Sequence, residues 1–269
     1  MTWSNRLAHW TPQNNMNVHI VIPARYNSSR LPGKPLLEIK GKPVVWHVFQ
    51  RALETNIESV IVATDDDRIY RTAESFGCRV LMTNEAHESG TDRLAEVAIK
   101  LGFDDNDIVV NLQGDEPLID PNYIEKVVAQ LKQNLWADIS TLMCTINSAK
   151  DLFNPNIVKV VTAHDSSALY FSRAPIPWER GKFDKVDSLA NLSINDGIYH
   201  RHIGLYAYRV STLKSLSQSP VSTLEQIEAL EQLRALHLGK KIAVAKVDDA
   251  CPHGVDTIED YERIKSIME

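Results

Sequence analysis

Cysteine is scarce in this chain of 269 residues, and the three present, Cys78, Cys144 and Cys251, stand far apart with no CxxC pair. That excludes a disulfide framework and a zinc ribbon, and leaves each as a small core residue. A surplus of positive charge is also missing: the formal net charge is −6 at pH 7, which argues against general nucleic-acid binding. Any anionic ligand must be met by cations gathered locally. No apolar run approaches the ~20 residues of a membrane span, so no membrane insertion is expected. GxGxxG is absent, and Gly33-Lys34 is followed by Pro35 where a P-loop needs Ser or Thr. The first sixteen residues lack the apolar core of a signal peptide. They are polar and irregular, and Met16 directly precedes the first apolar run. Residues 1–16 are therefore expected to form a mobile extension, and the protein to be cytoplasmic.

With 43% hydrophobic and 24% charged residues, the chain has the balance of a globular protein and enough length for a sizeable core. Short β-branched runs alternate with amphipathic stretches. Strands are expected at 18–22, 59–65, 79–83, 107–112 and 139–146, and helices at 44–55, 67–76, 90–99 and 123–133. This rhythm predicts an α/β fold with a mostly parallel, doubly wound sheet. Beyond residue 150 the pattern shifts to a hairpin, 158–161 with 168–173, and a long polar excursion to Gly197. That region reads as a strand-rich insertion within one domain spanning 17–269. Trp178 and Tyr199 could face a partner subunit or belong to a local core. A strand at 201–208 follows, then a helix at 222–238 and a last helix at 259–268.

Several stretches carry chemistry. The loop after the first strand holds Arg25, Arg30, Lys34 and two serines but no carboxylate. Leaving the carboxyl end of a parallel strand, it can offer backbone N–H groups and concentrated charge to a polyphosphate; the alternative is a cationic surface turn. Ser89 or Thr91 can cap a helix whose positive end faces the same crevice. Gly114 permits close approach at the end of the fourth expected strand, and Asp115 and Glu116 follow it, as hard oxygen ligands suited to magnesium or as an acidic turn. Alternation puts His202, Gly204, Tyr206 and Tyr208 on one face of their strand. At about 100° per residue, Glu231 falls on the apolar side of its helix and Glu225 outside it. Glu231 is then either a ligand contact or half of a buried salt bridge. Asp256 alone reads most simply as a helix cap.

Residues 23–36 match the pattern PAR-x-x-S-x-R-L-P-G-K-P-L throughout, and on this the chain resembles sugar nucleotidyltransferases, specifically the cytidylyltransferases that activate 3-deoxy-manno-octulosonate. Further blocks agree: His87 to Arg93 (H-x-S-G-T-x-R), Gln113 to Pro117 (Q-G-D-E-P), Leu230 to Arg234 (L-E-Q-L-R) and Gly254 to Thr257 (G-V-D-T). The resemblance implies a nucleotide-diphospho-sugar transferase-like fold with residues 150–210 serving the dimer and one wall of the sugar site. It implies transfer of CMP from CTP to the anomeric 2-hydroxyl of the sugar, with pyrophosphate leaving, in the service of lipopolysaccharide biosynthesis. Arg25, Ser28, Arg30, Lys34, Thr64, Asp65, His87, Ser89, Gly90, Thr91 and Arg93 would meet the nucleotide. Gln113, Arg173, His202, Tyr206 and Glu231 would meet the sugar, and Asp115 and Asp256 would hold magnesium. Arg25, Lys34, Asp115 and Asp256 would form the catalytic set of a homodimeric enzyme. A cytidylyltransferase for another acidic sugar, such as the 8-amino analogue or sialic acid, stands as the neighbouring reading, and a non-catalytic nucleotide-binding protein as the distant one.

Overall fold

Six of the seven residues after Asn17 are apolar, and the computed structural model sets the seven as an interior strand of the sheet, with Ile20, Val21, Ile22 and Ala24 buried. It describes residues 16–28, 30–57, 59–87, 89–185, 192–195, 197–248 and 254–269. The expected extension, up to Asn15, and Cys251 lie outside these residues. The first strand, β1 (Val18–Ala24), is followed by a short hairpin, β2 (Glu38–Ile39) and β3 (Lys42–Pro43), and then by α1 (Val44–Leu53). Strands and helices next alternate as β4 (Ser59–Thr64), α2 (Asp67–Ser75), β5 (Arg79–Met82), α3 (Gly90–Lys100), β6 (Ile108–Asn111), α4 (Pro121–Gln133) and β7 (Ile139–Thr145). After α5 (Ala149–Leu152) come β8 (Lys159–Thr162), β9 (Ala168–Ser172) and β10 (His200–Arg209). The chain ends with α6 (Val210–Ser217), α7 (Thr223–Glu228), α8 (Gln232–His237), β11 (Ile242–Lys246) and α9 (Ile258–Met268).

The main sheet runs β11-β7-β10-β6-β1-β4-β5. The pairs β1 with β4, β1 with β6, β4 with β5 and β11 with β7 are parallel; β10 runs antiparallel between β6 and β7. Helices cover both faces: α1, α2 and α4 pack with Ile20, Ile22 and Val110, while α3, α6 and α8 pack with Val21, Val109 and Tyr208. The predicted mostly parallel α/β sheet is thus the one observed. Among the described residues no helix is long and apolar enough to cross a membrane. The hairpin β8–β9 joins the main sheet where Lys159 meets Arg201 on β10. Tyr199 belongs to a small local core with Ile146, Leu152, Ile157 and Phe183, whereas Trp178 is 52% exposed.

One predicted element is absent as drawn. The single helix over 222–238 is broken, because Ala229 adopts a left-handed conformation with φ 50° and ends α7. Its apolar stripe therefore does not stay buried: Leu224 is 43% and Ile227 75% exposed. Glu225, expected to face outward, turns in and forms a two-pronged ion pair with Arg234 at 2.6 and 2.8 Å. The buried salt bridge weighed for Glu231 belongs to Glu225 instead.

Two strand ends are drawn together at the carboxyl edge of the sheet. A Cβ added to Gly114 would sit 2.7 Å from the Pro23 carbonyl oxygen, closer than real Cβ contacts allow. Gly114→Ala is therefore expected to push the chain after β6 away from the end of β1 and to cost about 1–3 kcal/mol. Thermal unfolding checks this; an unchanged Tm would contradict the close approach.

Candidate active site

Gly33, with φ 74°, turns the loop after β1 back on itself, and its N–H bonds the Tyr26 carbonyl at 2.8 Å. The Arg68 guanidinium lies over the Tyr26 ring, 3.3 Å from its centroid, and holds the turn from α2. Lys34 then opens a single 3-10 turn and points across the carboxyl edge of the sheet. Its ammonium donates to the Asp115 carboxylate and, at 3.1 Å, to Asp256. Arg30 reaches the other oxygen of Asp256 at 3.0 Å. The expectation that this loop carries cations free of acids is overturned. It has none of its own, but acids arrive from the end of β6 and from the segment before α9.

Gly254 makes that meeting possible. A Cβ there would lie 2.8 Å from the Asp115 carbonyl oxygen and 3.1 Å from Glu116 Cγ, and Val255 N–H bonds the Asp115 carbonyl at 2.7 Å. Asp256 is not the cap of α9; Thr257 is, in a capping box with Asp260. The Asp256 carboxylate is thereby left to the cluster. Burial alone would lower the Lys34 pKa, but Asp115 and Asp256 outweigh it and hold the ammonium above its usual range. Glu116 shows the opposite effect: burial, then the charges of Asp115 and Asp256, push its carboxyl up to about 8.

Beside this cluster lies a cleft of about 330 Å³. It collects Gln113, Asp115, His202, Tyr206, Glu231 and Asp256 from the expected sugar and metal sets. The strand β10 places its share by alternation despite an irregularity. Ile203 pairs with Leu142 but Tyr206 with Thr141, so two extra residues bulge and the parity of the faces is kept. The Thr141 hydroxyl sits inside the bulge, 3.1 Å from the Ile203 carbonyl, 2.9 Å from that of Leu205 and 3.0 Å from His202 Nε2. Burial, aided by Arg201, lowers the His202 pKa to about 3, so its imidazole is neutral at pH 7. Burial and the neighbouring Tyr208 and Glu231 raise that of Tyr206 well above the phenol range.

Five buried side-chain nitrogen or oxygen atoms among the described residues have no hydrogen-bond partner. Three of them, Asn111 Oδ1, Tyr206 OH and Gln232 Nε2, belong to residues lining this cleft. Buried polar groups are normally paired, so their clustering marks where a ligand's own polar groups would complete the bonding. Asn111 and Gln232 were not singled out from the sequence. For Asn111 the signal was an amide inside an otherwise apolar strand.

The nucleotide-side residues are only partly gathered. Ser89 caps α3 by accepting from Asp92 N–H at 3.1 Å, and its carbonyl takes an Arg25 guanidinium bond at 2.8 Å. Burial, then the neighbouring Arg93, lower the pKa of that guanidinium. Thr91 N–H, in the first turn of α3 after Gly90, reaches Glu231 Oε1 at 3.3 Å and ties this helix end to the cleft. Ser28 and Arg30 stand on the same loop as Lys34. Other residues are committed elsewhere. Arg93 is fully buried, bound to Asp65 at 2.6 Å and to the Thr83 hydroxyl. Thr64 is buried and accepts the Asp66 N–H at 3.2 Å. His87 bonds Glu96 at 2.5 Å and faces a separate groove beside α6. Arg173 lies away from the cleft, with Nε on the Glu228 carbonyl at 2.7 Å and NH1 on that of Pro155 at 3.0 Å.

A doubly wound sheet with a cationic loop, an acidic pair and a polar cleft at its carboxyl edge is the arrangement of a nucleotide-binding α/β transferase. Known proteins narrow this. A profile described as cytidylyltransferase matches residues 19–242. The 3-deoxy-manno-octulosonate cytidylyltransferase of Pasteurella multocida (strain Pm70) is 49% identical over 256 residues, which span 94% of this chain and 99% of that protein. Its counterpart in Cellvibrio japonicus (strain Ueda107) is 50% identical over 254 residues, with the same shares. The solved structure of CMP:2-keto-3-deoxy-manno-octonic acid synthetase complexed with CTP superposes with a TM-score of 0.83 at 44% identity, covering 94% of this chain and 98% of that one. The chain belongs to the cytidylyltransferase family, among the 3-deoxy-manno-octulosonate cytidylyltransferases.

The buried imidazole has a consequence for stability. In the unfolded chain His202 takes up a proton near pH 6.5, whereas in the folded state it does so only near 3. The unfolded state therefore binds more protons between these values, and stability contributed by neutral His202 is present above pH 6.5 and lost as pH falls toward 3. The loss is roughly 1 kcal/mol per pH unit in that window. Urea unfolding from pH 7 to pH 4 should give a shallower decline for His202→Gln than for the wild type; parallel curves would contradict a neutral, buried imidazole.

Proposed function

We propose that the protein transfers CMP from CTP to the anomeric 2-hydroxyl of 3-deoxy-manno-octulosonate, releasing pyrophosphate. The observation that carries this is the convergence of Asp115 and Asp256 on Lys34 at the rim of the polar cleft. Cations for phosphate, carboxylates for a metal, and hydroxyl partners for a sugar thus meet at one edge of the sheet. The names of the Pasteurella and Cellvibrio relatives support the same donor class and sugar.

Magnesium fits the residues present. Among the described residues no three His, Cys, Asp or Glu side chains form a ready-made cage, but magnesium needs only one or two carboxylates when substrate phosphates complete its shell. Asp115 and Asp256 would hold it, and when bound it would polarise the α-phosphate and stabilise the attacking oxygen. Lys34 and Arg30 exchange the aspartates for phosphate oxygens as CTP enters. With Arg25 they then offset the charge that develops on the departing pyrophosphate. Gln113, His202, Tyr206 and Glu231 orient the sugar so that its 2-hydroxyl lies in line with the bond that breaks. No covalent intermediate on the protein is required. Exposed apolar side chains at Leu169, Trp178 and Ile227 support a homodimeric assembly in the same reading, and the reaction would serve lipopolysaccharide synthesis in the cytoplasm.

Pyrophosphate release with CTP and each of 3-deoxy-manno-octulosonate, its 8-amino form and sialic acid tests the assignment. Release with the first above the other two is expected, and preference for either of the others would overturn it. Asp115→Asn and Asp256→Asn should each lower turnover by at least about a hundredfold while the fold persists. Near-normal turnover of either variant at saturating magnesium would remove that residue from the metal site.

A further inference from the structure

We propose that Glu225 is a positioning residue for the acceptor substrate: it engages Arg234 with both carboxylate oxygens and so leaves the Glu231 carboxylate available to the cleft. The role rests on the functional reading given above, in which Glu231 meets the sugar.

Glu231 and Arg234 are natural partners. Glu231 has helical backbone angles at the head of α8, and its carbonyl accepts the Arg234 N–H at 3.1 Å. Opposite charges three residues apart on a helix are neighbours and pair readily. Here the Arg234 side chain is taken by other groups. Its Nη2 and Nε donate to Glu225 Oε1 and Oε2 at 2.6 and 2.8 Å, and its Nη1 to the Leu216 carbonyl on α6 at 3.3 Å. All three guanidinium nitrogens are thereby engaged. Glu225 first, then Glu231 and Asp92, hold this guanidinium above its usual pKa range, so the charge of Glu231 is near enough to act on it.

The break between α7 and α8 is what brings the competing acid. At about 100° and 1.5 Å per residue, a continuous helix would set residues nine apart on opposite faces and about 13 Å along the axis. Left-handed Ala229 folds α7 back instead, and a capping box with Ser222 fixes Glu225 in its place. A left-handed residue that carries a Cβ persists only where its surroundings hold it. The ion pair ties the two helices together across that residue.

Glu225 and Arg234 are shut away, at 8% and 5% exposure. Neither lines the cleft, whereas Glu231 does, with its Oε1 accepting the Thr91 N–H at 3.3 Å. Buried charges require partners. A guanidinium that lost Glu225 would turn to Glu231, three residues before it, and withdraw that carboxylate from the sugar.

Steady-state pyrophosphate release with CTP and 3-deoxy-manno-octulosonate tests this. Glu225→Gln should raise the sugar KM by about tenfold and change the CTP KM by less than about twofold. The double variant Glu225→Gln/Arg234→Met has no guanidinium to capture Glu231, and its sugar KM should return to within about threefold of the wild type. On Glu231→Gln, itself impaired for the sugar, Glu225→Gln should add less than about twofold. A merely structural pair would give a double variant no better than the single one. That result, an unchanged sugar KM in folded Glu225→Gln, or an unimpaired Glu231→Gln would each overturn the proposal and leave the functional reading standing. If Glu225→Gln fails to fold, Glu225→Asp, which keeps the charge but is one methylene shorter, takes its place with the same expected split between sugar and CTP; failure of both to fold would make the pair structural and overturn the proposal. A wild type that releases no pyrophosphate with this sugar overturns the functional reading and, with it, the role assigned to Glu225.

Discussion

Charge balance around one ammonium group governs this site. Asp115, Glu116 and Asp256 are drawn to the carboxyl edge of the sheet by close backbone approaches that only Gly114 and Gly254 permit. Like charges so close are held only by an opposing charge or by a proton. Both devices are present: Lys34 sits between the two aspartates with its charge reinforced, and Glu116 is driven toward its neutral form. Lys34 also belongs to the loop that leaves β1, so in the proposed reaction the cation that would meet a phosphate and the carboxylates that would hold a metal start in contact with each other. In the proposed reaction both partners exchange that contact for ligand.

The cleft beside the cluster follows a different logic. Its floor is built from a strand that alternates Tyr206 and Tyr208 with Leu205 and Ala207, so one face feeds one core layer and the other joins the second core layer while lining the cleft. The bulge in β10 inserts two residues, which preserves this parity, and the Thr141 hydroxyl fills the gap it leaves. Three polar atoms remain without partners there. The protein tolerates that cost in the place where a sugar's hydroxyl groups would remove it.

Much of this was legible in the sequence because it depends on local pattern. The alternation of buried strands and amphipathic helices fixed the class of fold, and the acid-free loop and the carboxylates after β6 marked the site. The face of β10 followed from period two. What could not be read is what depends on distant partners. No local feature of residues 23–36 says that Lys34 will meet Asp256, 222 positions later. Arg93 and Arg173 stand in promising blocks, yet Asp65 and the carbonyls around Glu228 take them. Glu231 reaches the cleft, but by a route unlike the expected one. A left-handed Ala229 breaks the helix that periodicity drew as continuous, and the inward carboxylate of α7 is Glu225. A leucine-rich stripe at helical spacing cannot show where a backbone breaks, because Ala carries no turn signal.

Magnesium binding in the absence of nucleotide tests most directly the claim that Lys34 neutralises the aspartates in place of a metal. Calorimetric titration of the wild type and of Lys34→Met at neutral pH compares the site with and without its competing cation. Removing a positive charge in contact with two carboxylates should tighten magnesium binding by about tenfold or more. Equal or weaker binding by a folded Lys34→Met protein would contradict the account.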